Sequence, residues 1–291
     1  MTLPVRPPAT RRRGLTLGTP APILSAVRLA AALVLMLVAG IFYWLTSAPT
    51  FSLDPAKVDL TGFHYTDPAV ALAAMGLGPD ARPNLFRIDT GAMASALRGL
   101  PAVQSADVAV RLPDQLDVSI TERVPIMIWQ HGATRLLSDI DGDLFAPATD
   151  ADALPAIDDQ RGGEADPAPG ATLAPLDLEV ARTLSAITPA DLGSDATTLS
   201  LSVTDSDGWV LAAPAGWRAV FGFYTPDLRP PSMIDGQVQC LAALLAAGES
   251  SVASVTLALN ETDCGTYLPR PSPSASPQPT RERSPSPTKR P

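Results

Sequence analysis

The chain has few of the residues on which enzyme and metal sites usually depend. Its 291 residues include only two cysteines and two histidines, and aromatic residues make up 5%. Two cysteines exclude a disulfide-dense scaffold and a multi-cysteine zinc module. His64 and His131 have no partner at a catalytic spacing, and there is no glycine-rich phosphate loop, G-x-S-x-G or H-E-x-x-H motif. We therefore expect no enzyme activity, no cofactor and no metal site.

Positive charge is scarce in the body of the chain. Residues 29–268 carry 11 Lys and Arg against 29 Asp and Glu, whereas residues 1–28 carry five Arg and no acid, and residues 269–291 carry five cations. The net charge of −9 argues against a general nucleic-acid partner, which would need a basic face. Because hydrophobic residues make up 46%, the chain can bury a core, and wholesale disorder is excluded.

One long apolar run predicts a membrane anchor. Residues 29–48, LAAALVLMLVAGIFYWLTSA, contain no charge, and 20 helical residues span roughly 30 Å, the thickness of the bilayer hydrocarbon. The arginines precede this run, so the positive-inside rule predicts that residues 1–28 are a cytoplasmic tail and that the rest is extracytoplasmic. The alternative is a cleaved signal peptide, although Pro49 would obstruct cleavage after Ala48.

Residues 51–123 show the periodicities of a small α+β unit. Alternating apolar residues indicate strands, and Asp-Pro followed by apolar residues three and four positions apart indicates the start of a helix. The predicted elements are a strand at 57–60, helices that begin at Asp67 and near Asp89, and strands at 106–112 and 116–121. The two later strands form a ribbon whose apolar face can bury both helices.

A run of apolar, proline and charged positions at fixed spacing carries a family signal. Its residues are Leu100, Pro101, Val103, Ala106, Val108, Arg111, Pro113, Leu116, Val118, Ile120, Glu122, Arg123 and Pro125, followed by Leu137, Asp139, Asp141, Gly142 and Phe145. This pattern resembles the POTRA domain of the bacterial cell-division protein family FtsQ (DivIB in some lineages), over about residues 51–146 and more weakly over 195–268. The resemblance implies an α+β fold: a single N-terminal transmembrane helix, a POTRA domain at 51–123, and a mixed β-rich domain with flanking helices at 124–268.

Within residues 124–268 the pattern predicts strands, two helices and one long loop. Residues 146–175 are rich in proline, aspartate and glycine and predict a surface loop. Apolar stripes predict helices at 176–187 and after Ser232, and the last predicted strand lies near 252–259. The proline- and serine-rich residues 269–291 are predicted to be a disordered tail.

Two small features leave alternatives open. Asp139-x-Asp141-Gly142-Asp143 has the spacing of the start of a calcium loop, but it lacks the distal Glu, so a hairpin turn is the better interpretation. Cys240 and Cys264 both lie on the predicted exported side, where disulfides persist. Cys240 lies on the flank of its predicted helix, so the pair either forms a disulfide or remains two separate thiols.

Two functional hypotheses follow. The resemblance implies a bitopic scaffold of the divisome in the cell membrane at the division septum, which recruits FtsB/FtsL-like proteins and so links to septal peptidoglycan synthesis, with other divisome components binding the POTRA domain. The alternative is a membrane-anchored exported enzyme or enzyme regulator. For the scaffold, the resemblance implies that the final strand accepts a partner segment as an added strand. The predicted partner-binding residues are Val255, Thr256, Leu257, Ala258, Leu259, Asn260 and Tyr267.

Overall fold

A long apolar helix begins the part of the chain that the structure describes. The computed structural model describes residues 22–163, 165–214, 216–257 and 263–271. Helix α1 runs from Pro22 to Ser47, and its portion Ala26–Ser47 is long and apolar enough to cross a membrane, the one helix of this kind among the described residues. Its large apolar side chains, among them Leu35 and Met36, are exposed. A helix that is apolar on every side fits the predicted transmembrane segment.

The chain, with α1 included, divides into two compact units that interleave along the sequence. The first unit comprises the chain up to Asp59, Leu77–Thr90 and Val108–Asp117; the second comprises Leu60–Gly76, Gly91–Asp107 and the chain from Val118 onward. This division differs from the predicted domain boundary between residues 123 and 124, which stays a prediction. The physical reason is that several segments upstream of residue 123 pack within the second unit.

The region of residues 58–122 contains the predicted order of elements. They are β1 (Val58–Thr61), α2 (Pro68–Ala74), α3 (Thr90–Arg98), β2 (Val103–Arg111) and β3 (Gln115–Glu122), with the strands in the sheet order β1-β3-β2. The start of α2 follows the sequence signal, because the Asp67 side chain accepts a hydrogen bond from Ala69 N at 2.7 Å and Pro68 takes the first helical position. On the central strand, Leu116, Val118 and Ile120 are buried and their neighbours are more exposed.

A nine-stranded mixed sheet occupies the second unit. Its strands are β4 (Met127–His131), β5 (Thr134–Ser138), β6 (Leu144–Pro147), β7 (Ala156–Asp159), β8 (Ser200–Thr204), β9 (Gly208–Ala212), β10 (Arg218–Gly222), β11 (Val252–Thr256) and β12 (Thr266–Pro269). The sheet order is β12-β11-β10-β9-β8-β7-β4-β5-β6. The pairs β4–β7, β7–β8 and β10–β11 are parallel, and the remaining pairs are antiparallel.

The prediction of one surface loop over residues 146–175 is wrong in part. Strand β7 lies within it and takes a central place in the sheet, paired in parallel with both β4 and β8. Ile157 on this strand is fully buried. The prolines and aspartates that predict a loop lie mostly in the chain around β7. The four residues of β7 still form a strand, because β4 and β8 offer backbone groups on both sides.

Two helices and the sheet build the main core of the second unit. They are α4 (Pro175–Ser185) and α5 (Ile234–Gly248), which agree with the predicted helices. Val180 and Leu184 of α4, Leu241 and Leu245 of α5, and Trp217 before β10 belong to one buried cluster. The glycine at the start of β9 is required by close packing, since a Cβ at Gly208 would lie 2.3 Å from the carbonyl carbon of Gly222.

Candidate partner-binding edge

Strand β12 forms one border of the nine-stranded sheet. It pairs in antiparallel fashion with β11 and has no further described strand on its other side. All four of its residues are exposed, and Tyr267 and Leu268 keep 54% and 68% of their surface accessible. A border strand presents unpaired N–H and C=O groups that can hydrogen-bond to another chain.

The structure corrects the predicted position of this edge. β11 was expected to be the border strand, but it lies between β10 and β12. Val255 and Leu257 are 1% and 3% exposed and belong to the core, so their side chains cannot contact a partner. The reason is that β12, the next described strand, pairs in antiparallel fashion with β11 and lies outside it. Thr256 is exposed, while the predicted residues Ala258, Leu259 and Asn260 lie outside the described residues.

Tyr267 is the one predicted partner-binding residue that lies on the border strand. In the β11–β12 register it faces Val255, so the two side chains share one face of the sheet. Val255 belongs to the core cluster on that face. Tyr267 therefore lies at the margin of the core, where a neighbouring apolar side chain would extend the buried surface.

The alternation of backbone directions identifies which groups of β12 face outward. Arg270 N, just after the strand, donates to Ser251 O at 2.7 Å and therefore points toward the β11 side. Because successive residues of a strand point their N–H and C=O groups to opposite sides, the N–H of Leu268 also faces β11 and that of Tyr267 faces away. Pro269, which has no N–H, occupies an outward position, as expected for a proline on an open edge.

A disulfide fixes the segment that precedes β12. Cys240 and Cys264 are bonded, with their Cα atoms 5.3 Å apart, so the structure selects the disulfide from the two alternatives. Cys240 belongs to α5, and Cys264 lies two residues before Thr266. The bond ties the start of the edge strand to a helix whose residues Leu241 and Leu245 are buried in the core.

An open pocket of about 400 Å³ lies beside the chain end of β12. Arg270 lines it together with Ala213, Pro214 and Glu249. The Glu249 carboxylate accepts hydrogen bonds from Trp217 Nε1 at 2.8 Å and from Asp195 N at 2.9 Å. Burial raises the pKa of Glu249, but its hydrogen bonds outweigh burial, so the pKa lies below the usual value. The pocket thus combines one guanidinium with the carboxylates of Asp195 and Glu249 beside an apolar wall.

The charged pair at the end of β3 organises a second part of the same unit. Arg123 forms ion pairs with Asp139 and Asp143, at 2.5 and 2.6 Å. Asp139 also accepts hydrogen bonds from the backbone N–H groups of Asp141 and Asp143 at 3.0 and 2.9 Å. These contacts are those of a turn, as predicted, in which one arginine pairs with two of the carboxylates. Among the residues that the structure describes, no group of three His, Cys, Asp or Glu side chains is arranged to hold a metal ion.

The carboxylate of Glu122 holds the segment before α2. It accepts hydrogen bonds from the backbone N–H groups of His64, Tyr65 and Thr66 at 2.8, 2.8 and 2.7 Å. Partial burial raises the pKa of Glu122, but these donors outweigh burial, and the pKa lies below its usual value. The Tyr65 ring in turn packs edge-on against Phe145, with ring centres 5.4 Å apart.

We expect Glu122→Gln to lower the free energy of unfolding by about 1–3 kcal/mol at pH 7, because the amide NH₂ group cannot accept the backbone hydrogen bonds. A lowered pKa in the folded state gives stability that is present above the unfolded pKa of about 4.3 and is lost as the pH falls through the folded pKa. The difference between wild type and variant should therefore shrink below about pH 4. Denaturant titrations at several pH values measure it, and a constant difference from neutral to acidic pH would contradict the assignment.

These features define a class: an α+β protein in which one apolar helix precedes a β-α-α-β-β region and a mixed sheet with an open border strand. Comparison with known proteins then names the relatives. Residues 53–123 match the family described as "POTRA domain, FtsQ-type". The FtsQ-type recognition made from the sequence is thus confirmed for this segment.

The matched relatives carry the name cell division protein FtsQ. The chain is 33% identical over 141 residues to the protein of Burkholderia pseudomallei (strain K96243). The aligned residues make up 48% of this chain and 54% of that protein. It is 32% identical over 151 residues to the protein of Mycolicibacterium smegmatis (strain ATCC 700084 / mc(2)155), covering 52% and 43%. The matched part thus spans about half the length of these curated relatives.

Proposed function

We propose that this chain is a bitopic membrane scaffold of the bacterial divisome that acts by binding. In this proposal α1 crosses the cell membrane with the N-terminal side in the cytoplasm, and the region from Pro49 onward is extracytoplasmic. The similarity to FtsQ proteins over about half the chain supports the role in division. The observation that carries the binding mechanism is the open border strand β12, with its exposed side chains.

The partner in this proposal is an FtsB/FtsL-like division protein, which adds a strand to β12 and so links the chain to septal peptidoglycan synthesis. The POTRA region provides a separate contact for other divisome components. A strand of four residues supplies only two or three backbone hydrogen bonds, each worth about 0.5–1.5 kcal/mol. Their sum is at most close to about 4 kcal/mol, the binding free energy that corresponds to a millimolar dissociation constant. Side chains must therefore add affinity.

Side chains on both faces of β12 offer this additional affinity. Tyr267 lies at the margin of the core on one face, and Leu268, 68% exposed, lies on the other. Burying both side chains against a partner would contribute about 25 cal/mol per Å² of apolar surface.

Localisation and depletion in cells test the proposal. A fluorescent fusion to the full chain should form a ring at midcell in dividing cells, and depletion should give filaments or branched, swollen cells, because growth continues while septa are not made. Microscopy of membrane, DNA and fusion signals measures both outcomes. A uniform membrane signal together with normal septation after complete depletion would contradict the division role and favour an envelope function unrelated to septation.

A further inference from the structure

The C-terminal end of α1 contacts the segment Pro83–Arg87 through a series of aromatic rings in the first unit. The ring of Trp44 packs edge-on against Phe51, with centres 5.9 Å apart, and Phe51 packs in the same way against Phe86 at 5.1 Å. Trp44 and Phe86 nevertheless remain 59% and 44% exposed. These rings therefore form one partly open aromatic surface beside the end of the apolar helix.

Hydrogen bonds fix the segment Pro83–Arg87 beside the last turn of α1. The Asn84 side-chain amide donates to Leu45 O at 3.1 Å, which satisfies a carbonyl that lacks an intrahelical partner at the helix end. The Asn84 side-chain oxygen accepts from Phe86 N at 3.0 Å. Leu53 N donates to Pro83 O at 2.9 Å. The position of Phe86 relative to the helix end is thus fixed from two sides.

The length of α1 indicates where the segment Pro83–Arg87 would lie relative to a bilayer. The apolar portion Ala26–Ser47 has 22 residues, or about 33 Å of helix, slightly more than the hydrocarbon thickness of roughly 30 Å. Trp44 and Tyr43 then fall at the hydrocarbon boundary, where aromatic rings favour the interface. Asn84 contacts Leu45 in the last turn of α1. Phe86, two residues after Asn84, therefore lies near the same boundary and not far out in water.

We propose that Phe86, with Phe51 and the end of α1, inserts into the lipid headgroup layer, so that the segment Pro83–Arg87 is a second membrane contact of the protein. This inference rests on the proposed membrane anchoring by α1. The occupant of the exposed aromatic surface is the bilayer in which α1 is embedded, because the surface is continuous with the helix through the ring contacts. The contact would hold the part of the first unit that follows α1 at a set height relative to the membrane.

The chemistry of the segment assigns this contact to the aromatic rings and not to net charge. Arg82 and Arg87 are exposed, and so are Asp80 and Asp89 on either side of them. Two cations and two acids within ten residues give no net attraction to an anionic surface. The contact should therefore form on zwitterionic lipid, and anionic lipid should change it little.

A fluorine label on phenylalanine tests the proposal in the full chain. The protein is placed in phosphatidylcholine nanodiscs with 4-fluorophenylalanine at Phe42, Phe86 or Phe223, in separate samples. Phe42, 67% exposed on α1, is the buried-in-lipid reference, and Phe223, 51% exposed on the second unit, is the matched reference outside the segment. ¹⁹F relaxation is measured with dissolved oxygen, which concentrates in lipid, and with a water-soluble gadolinium chelate.

We expect the chelate to relax the label at Phe86 about threefold less than the label at Phe223, and oxygen to relax it more, because the headgroup layer excludes the chelate. Replacing a third of the lipid by phosphatidylglycerol should leave this result unchanged. Equal responses at Phe86 and Phe223, with Phe42 still shielded, would overturn this contact alone. A chelate-accessible Phe42 would overturn the membrane anchoring and this inference together, and shielding only on anionic lipid would overturn the aromatic assignment.

Discussion

Tyr267→Pro is expected to weaken binding of an FtsB-like partner by about ten- to a hundredfold, with the chain still folded. The substitution removes the outward N–H of Tyr267, which is the donor that the border strand offers near its centre. A partner carbonyl left unpaired in a formed interface costs about 1–3 kcal/mol, and each 1.4 kcal/mol is a factor of ten in the dissociation constant. Titration calorimetry with the purified partner segment measures the change.

The matched control for this variant is Tyr267→Val, which also removes the ring but keeps the N–H. The difference between the two variants isolates the backbone donor from the aromatic contact. Pro269 already occupies an outward position of β12, so a second outward proline should leave the melting temperature close to that of wild type. If Tyr267→Pro and Tyr267→Val bind equally well, the backbone of β12 is not the site, and the POTRA ribbon at 106–120 becomes the next candidate.

Loss of the disulfide is expected to destabilise the second unit and to weaken partner binding together. The bond joins residues 24 positions apart, and closing a loop of this length contributes about 3 kcal/mol. For a domain of this size each kcal/mol shifts the melting temperature by roughly 2–4 °C, so Cys240→Ser/Cys264→Ser should melt about 6–12 °C lower. β12 should then detach more often, because Cys264 no longer ties its start to α5.

Reduction of the wild-type chain is the control for the double substitution. Dithiothreitol should lower the melting temperature of the wild type to that of the variant and should leave the variant unchanged. Differential scanning calorimetry and the same partner titration measure both effects. A variant with wild-type melting and binding would contradict the view that the disulfide holds the edge strand in place.

The elements of the POTRA region were predictable because their signals are local. The start of α2 depends on Asp67 and Pro68 alone, and the alternation along β3 is visible within eight residues. The partners of the charged residues at the end of β3 could not be predicted from such local signals. Glu122 binds residues 64–66, more than fifty positions earlier in the chain, and no spacing rule relates the two segments.

The border strand was missed because its pairing is non-local and its residues carry a weak signal. β12 has only four residues, TYLP, ends in proline and shows no alternation of burial. β7 is equally short and stands among prolines that indicate a loop. Each forms a strand because a neighbouring strand offers free backbone groups. Tyr267 is a predicted partner-binding residue and lies on this strand, whereas Val255 and Leu257, predicted in the same set, are core residues of the neighbouring strand.

The place of β12 in the chain also sets an order of assembly. It is the last strand of the described chain, so all other described strands and α5 leave the ribosome before it. A copy still passing through the membrane lacks β12, and a copy whose cysteines are not yet oxidised is expected to hold that strand more weakly. Under the proposed function, completed and oxidised copies are therefore expected to bind the partner more tightly than unfinished or reduced ones.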